Sequence, residues 1–127
     1  MDGRLRTAAQ EGQVHVLQWL LSRGADLMER SADGLTIVHL AAEEGHVPVI
    51  AWLETCGVDV KVRINSDGWT VAHSAAQEGQ MHVLEWLNAK GADLTAKTSG
   101  GLTPALVARH SDQPDIADWL ERQVQPL

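Results

Sequence analysis

Six imidazoles and one thiol are the groups in this 127-residue chain best suited to acid–base, nucleophilic or metal chemistry: His15, His39, His46, His73, His82, His110 and Cys56. A zinc site requires imidazoles or thiolates to converge within ~2.0–2.3 Å of one ion. Neither an H-E-x-x-H helix nor a cysteine-rich cluster is present to arrange that. Cys56 has no base near it in sequence to activate it, and is expected to be a partly exposed, inert thiol. A G-x-S-x-G elbow, a phosphate-cradling glycine loop and a convergent carboxylate pair are all missing. The expectation is a non-catalytic chain with no cofactor and no metal.

Composition narrows the partners. Ten Lys+Arg against 17 Asp+Glu leave a net charge of −7, which disfavours nucleic acid because phosphate binding relies on clustered cations. With 44% apolar and 21% charged residues, the chain can bury enough surface to fold. The longest apolar run, Val47 to Leu53, falls far short of the ~18 residues of a membrane span. The charged start, Met1-Asp2-Gly3-Arg4-Leu5-Arg6, lacks the apolar region of a secretory signal. A single cysteine permits no internal disulfide. Together these predict one soluble, monomeric domain in the cytoplasm, with the nucleus as the other compartment open to it.

The elements that would position side chains are set by a repeat. Five tryptophans occur with no Phe or Tyr, and Trp19, Trp52, Trp86 and Trp119 fall 33, 34 and 33 residues apart. In that register Gly12, Gly45 and Gly79 align, as do Gly24, Gly57 and Gly91, with Asp26, Asp59 and Asp93 two residues beyond the second set. Thr36, Thr70 and Thr103 align too, and so do the pairs Ala8-Ala9, Ala41-Ala42 and Ala75-Ala76. The extra residue of the 34-residue step lies between Asp59 and Asp67. A fixed period on this scale marks a stacked repeat.

Each unit reads as two short helices and a turn. Thr36 can cap a helix through Ala42, Gly45 supplies a tight turn, and Pro48 opens a second helix whose Val49, Ile50, Trp52 and Leu53 share a face. Gly57 would end it, and Asp33-Gly34, Asp67-Gly68 and Gly100-Gly101 signal hairpins. Helices this short are marginal alone, so neighbouring units must cover one another. Repeats are expected near 1–30, 31–63, 64–97 and 98–127, with the charged first unit and polar last unit closing the stack as caps. The tryptophans beside Leu20, Leu53, Leu87 and Leu120 read as core, which puts Trp52→Ala or Trp86→Ala at about 3–5 kcal/mol.

These residues resemble the ankyrin repeat over essentially the whole chain. The family pattern D-G-x-T-P-L-H-x-A-A-x-x-G-H appears as Asp33-Gly34-Leu35-Thr36-Ile37-Val38-His39-Leu40-Ala41-Ala42-Glu43-Glu44-Gly45-His46, and again from Asp67 to Gln80. The resemblance implies an all-α solenoid of stacked helix pairs with projecting hairpins, which binds a partner protein on hairpin tips and a concave inner face. It also implies that His39 and His73 are structural, each bonded to the Thr of its own motif. Pro appears in the motif only at Pro104, where Leu106 takes the His position. Met28, Lys61 and Thr95 stand where many relatives carry an Asn open to hydroxylation, so that modification is not expected.

The candidate binding surface then follows by register. Glu44 and Glu78, flanked by Glu43 and Gln77, form an acidic floor, and Arg30, Arg63 and Lys97 form a basic margin at the hairpins. Trp69 sits between its equivalents Leu35 and Leu102 as an apolar centre, either as an exposed anchor or packed on its own hairpin. Asp33, Ile64, Asp67 and His110 complete the set. Such a surface suits a partner that presents Lys or Arg. Alternatives are a stand-alone inhibitor of an enzyme such as a kinase and, from another class, a small His/Cys enzyme.

Overall fold

The computed structural model describes residues 3–32, 34–61 and 67–124. Its regular elements there are eight helices in chain order: α1 (Gly3–Glu11), α2 (Val14–Ser22), α3 (Ile37–Glu43), α4 (Val47–Thr55), α5 (Val71–Gln77), α6 (Met81–Ala89), α7 (Pro104–His110) and α8 (Pro114–Val124). They pair as the register requires, α1 with α2 through α7 with α8, and the odd-numbered helices stack in one row. Ala8, Ala9, Ala41, Ala42, Ala75, Ala76 and Ala108 are buried along that inner row. A methyl group is all that fits where helices pack this closely, so the alanine pairs mark the contact. The even-numbered outer helices touch their neighbours much more lightly, which makes the inner side of the stack the shorter one.

The starts of α3, α5 and α7 are fixed by the threonines Thr36, Thr70 and Thr103. Thr70 Oγ1 accepts from the His73 backbone N–H at 3.4 Å, and Thr103 does the same for Leu106 at 3.2 Å. His39 and His73 return the bond: the backbone N–H groups of Thr36 and Thr70 donate to their Nδ1 atoms at 3.3 and 3.0 Å. This is a capping box with imidazole in place of the usual carboxylate. Asp26, Asp59 and Asp93 each accept the backbone N–H two residues on, at 2.8–2.9 Å, closing the turn that follows each outer helix.

The glycines after the inner helices do two things at once. Gly45 has φ +76°, and a Cβ there would strike the side chain of Gln80 from the next repeat. Gln80 Nε2 donates to the Glu43 carbonyl at 2.8 Å, and one repeat earlier His46 Nε2 bonds the Gln10 carbonyl at 2.8 Å. A missing side chain on one unit is thus the seat for a polar strap from the next. His46 is half-buried in this role.

Two expectations need correction. Leu20, Leu53, Leu87 and Leu120 are buried, but Trp52, Trp86 and Trp119 are only half-buried and Trp19 is 49% exposed. One helical step rotates a side chain by ~100°, so the leucine takes the core and its tryptophan neighbour lies along the flank. The first unit, moreover, does not close the stack. Val16, Trp19, Leu21 and Met28 are all exposed there. The other end exposes Leu106 but carries a charged cluster: Arg109 binds Glu121 at 2.8 and 3.0 Å and Asp118 at 2.9 Å, contacts that push its pKa further above the ordinary arginine value, Glu121 first.

Leu53→Ala is expected to cost ~2–5 kcal/mol in denaturant unfolding, more than Trp52→Ala; the reverse order would place the tryptophan in the core after all. Gly57 shares the positive φ of Gly45 but has open space around it. Both Gly→Ala changes should lose the ~1–2 kcal/mol of a left-handed residue, and Gly45→Ala should lose measurably more in the same unfolding experiment.

Candidate protein-binding surface

The hairpins carry the outermost residues of the candidate surface. In the first, Ser31 N–H donates to the Leu35 carbonyl at 2.8 Å and Leu35 N–H to Ser31 Oγ at 3.1 Å. The last repeats this with Thr98 and Leu102 at 3.0 and 3.1 Å. Neighbouring hairpins are also joined, because Ser99 N–H donates to the Asp67 carbonyl at 2.7 Å. Arg30 is exposed and its Nη1 donates to the Gly34 carbonyl at 2.7 Å, so part of the basic margin is spent bracing its own turn. Lys97 is exposed. Asp33, Arg63 and Ile64 lie outside the described residues.

Leu35, Trp69 and Leu102 are half-buried against the core at the bases of the hairpins. Trp69 packs down onto α5 rather than along its hairpin: Nε1 donates to Ser74 Oγ at 2.9 Å, and its ring lies 5.1 Å from that of His73. Trp69, Leu102, Asp67, Thr98, Ser99 and Gly100 enclose a groove of about 310 Å³. The indole N–H is already engaged, so what Trp69 offers a ligand is an aromatic face beside the Asp67 carboxylate. Ser74 went unnoticed in the sequence although a signal existed, since it is a hydroxyl between the Leu40 and Val107 of the neighbouring repeats.

His73 shows what the equivalent imidazoles do. Its Nδ1 accepts the Thr70 N–H, which leaves the proton on Nε2 to bond the Leu102 carbonyl at 2.8 Å in the following repeat. The ring is fully buried and committed on both sides, so it ties α5 to the next hairpin. Among the described residues, no three His, Cys, Asp or Glu side chains converge as metal ligands. Cys56 is exposed at the C-cap of α4.

On the inner row Glu44, Gln77 and Glu78 are exposed and Glu43 is half-buried. Burial first, and then the charges of Glu78 and Glu44, hold the Glu43 carboxyl above its ordinary range, while Arg6 pulls the other way. The acidic floor is therefore a set of mutually repelling carboxylates, with Arg6 of α1 as a cationic neighbour that register alone did not reveal. His110 is exposed in the last turn of α7, away from the Trp69 groove.

A family model of ankyrin repeats in three copies matches residues 5–98. The chain belongs to the ankyrin-repeat family. The match ends before α7 and α8, which continue the same stacking as a fourth helix pair. Ankyrin repeats are generally non-catalytic protein–protein interaction modules. No curated protein matches the chain. Among the described residues, no helix of this ankyrin array is long and apolar enough to cross a membrane.

Two measurements test these assignments. His73→Leu would strand the buried Thr70 N–H, at about 1–3 kcal/mol, and leave the Leu102 carbonyl with only its Thr98 donor; it should destabilise the fold in urea without altering any metal content. For Glu43, a folded-state pKa above the unfolded one means that the folded chain holds more protons. Its contribution to stability therefore falls as pH rises through that raised value. Glu43→Gln should accordingly raise the urea midpoint near neutral pH, and the gain should vanish once the carboxyl is protonated in both states; a loss of stability at neutral pH would contradict the assignment.

Proposed function

We propose that this ankyrin array is a non-catalytic binding module for a partner protein that carries an exposed Lys or Arg. The contact would run along the inner-row face and the hairpin bases. The observation that carries this reading is the groove beside Trp69, in which an aromatic face, the Leu102 side chain and the Asp67 carboxylate meet. A cation held near an aromatic face gains about 0.5–2 kcal/mol, more where water is excluded, and a carboxylate beside the ring adds attraction of the same sign. The repelling carboxylates Glu43, Glu44 and Glu78 on the adjoining floor would be relieved by a second positive charge from the same partner.

Two further features support a binding role over a catalytic one. His73 is committed to capping and to the next hairpin, which removes it from acid–base work. The surface residues that remain are suited to complementarity of shape and charge. Inhibition of an enzyme such as a kinase is one form this binding would take, with the array occupying a basic surface of the enzyme. A monomer in the cytoplasm or nucleus fits this role.

Affinity capture with the wild-type chain beside a folded Trp69→Ala/Glu44→Arg double variant tests the surface. The partner is expected to be lost, or held at least ~10-fold more weakly, by the variant, as for the removal of an aromatic anchor together with a charge reversal. A partner retained equally by both chains would sink the assignment.

A further inference from the structure

The two ends of the stack differ in chemistry. In register, Val16 corresponds to Val49, Val83 and Ile116; the last three are 0%, 0% and 6% exposed, and Val16 is 38% exposed. Gln13 corresponds to His46 and Gln80, which reach back to carbonyls of the preceding repeat, and to Gln113, whose amide lies over Gly79. Gln13 is exposed. Val16, Trp19, Leu20, Gln13, Thr7 and Ala8 line an open groove of about 600 Å³ on that end.

A third column supplies charge. Lys90 in α6's C-cap sits 5.5 Å from the Trp86 ring centroid and bonds Glu54 of the preceding outer helix at 2.9 Å. One repeat later the same rung is made by Gln123 and Asn88 at 3.3 Å. Arg23 occupies the Lys90 position in the first repeat, already poised 5.2 Å from the Trp19 ring centroid. The far end is built otherwise. Arg109 stands where the inner repeats have Ala9, Ala42 and Ala76, each 0% exposed, and its pairing with Asp118 and Glu121 puts a charged guanidinium on the plane that a following repeat would need.

We infer that the N-terminal end is a stacking face for one further ankyrin-type helix pair, its outer helix carrying a carboxylate opposite Arg23. Helix pairs already stack three times within this chain, with a bonded strap at two of the interfaces and a charged rung at one, and the strap, the buried valine and the rung each have a counterpart on this end. Arg109 argues against a second copy as the occupant, since head-to-tail docking would bury that cation against the face that carries Arg4. This surface is separate from the inner-row groove, so the inference does not depend on the proposed function.

The probe is the chain's own second repeat, with Glu54 in the matching position. A copy of residues 36–69 is placed ahead of Gly3, and for comparison a copy of residues 91–124 is placed after Gln123. The N-terminal addition should raise the unfolding midpoint, shift Trp19 emission to shorter wavelength and slow amide exchange across Val14–Ser22 by ~10-fold or more. Arg23→Glu should cost the extended chain more than it costs the 127-residue chain, where it removes only the exposed contact with Trp19. The C-terminal addition should give little, because Arg109 opposes it. Equal gains at both ends, or unchanged exchange over Val14–Ser22 in the N-terminally extended chain, would overturn the inference. A concentration-dependent dimer of the original chain that shields Trp19 would overturn it too, by making a second copy the occupant.

Discussion

Close approach of alanine-faced helices is the constraint on which the rest of this molecule depends. Inner helices of seven to nine residues cannot persist alone, and each is held because a neighbour packs over buried alanines. That contact sets the spacing of the repeats. Spacing in turn decides which side chains reach across: Gln80 and His46 can strap backward only because the glycine beneath them has no side chain. The hairpins are carried along, joined to each other by Asp67 and Ser99 and to the helices beneath by His73. Function on this scaffold is then a matter of what the fixed rows of positions display.

Polar groups inside the stack serve alignment more than energy. Thr36, His39, Thr70, His73 and Ser74 are the buried polar residues among those described. Ser74 binds the indole of Trp69, and both histidines belong to capping boxes. A buried hydrogen bond adds about 1 kcal/mol net, yet its loss strands two groups, so such bonds discriminate strongly against a shifted register. This explains how residues with the chemistry of a catalytic or metal site come to serve a structural purpose here.

Much of this architecture was legible in the residues. The aligned Gly, Ala, Thr and Asp columns marked the helices, caps and turns, because each of those types is demanded by a local backbone condition that recurs every period. What escaped were facts of side-chain direction. Trp52 and Leu53 are adjacent on one apolar face, and sequence alone does not say which points inward. Trp69 could be read from its position as an exposed anchor or as packed on its own hairpin; its partner, Ser74, lies on α5, five residues further on. The first repeat looked closed because Arg4 and Arg6 stand in α1 where the next repeat has the buried Ile37 and His39, whereas the uncovered groups sit mostly on α2. As for the binding surface, its rows could be drawn from register, but the pull of Arg6 on Glu43 depends on how α1 lies against α3.

The unequal packing of the two rows has a mechanical result. Inner helices adhere along their lengths, whereas outer helices meet at little more than a rung such as Lys90 with Glu54. Flexing that spreads the outer row breaks few attractions, and sliding the inner row would break many. By this construction the array would bend like a leaf spring whose stiff leaf is the alanine row, opening across the outer row before the inner row slides and keeping the same residues on display.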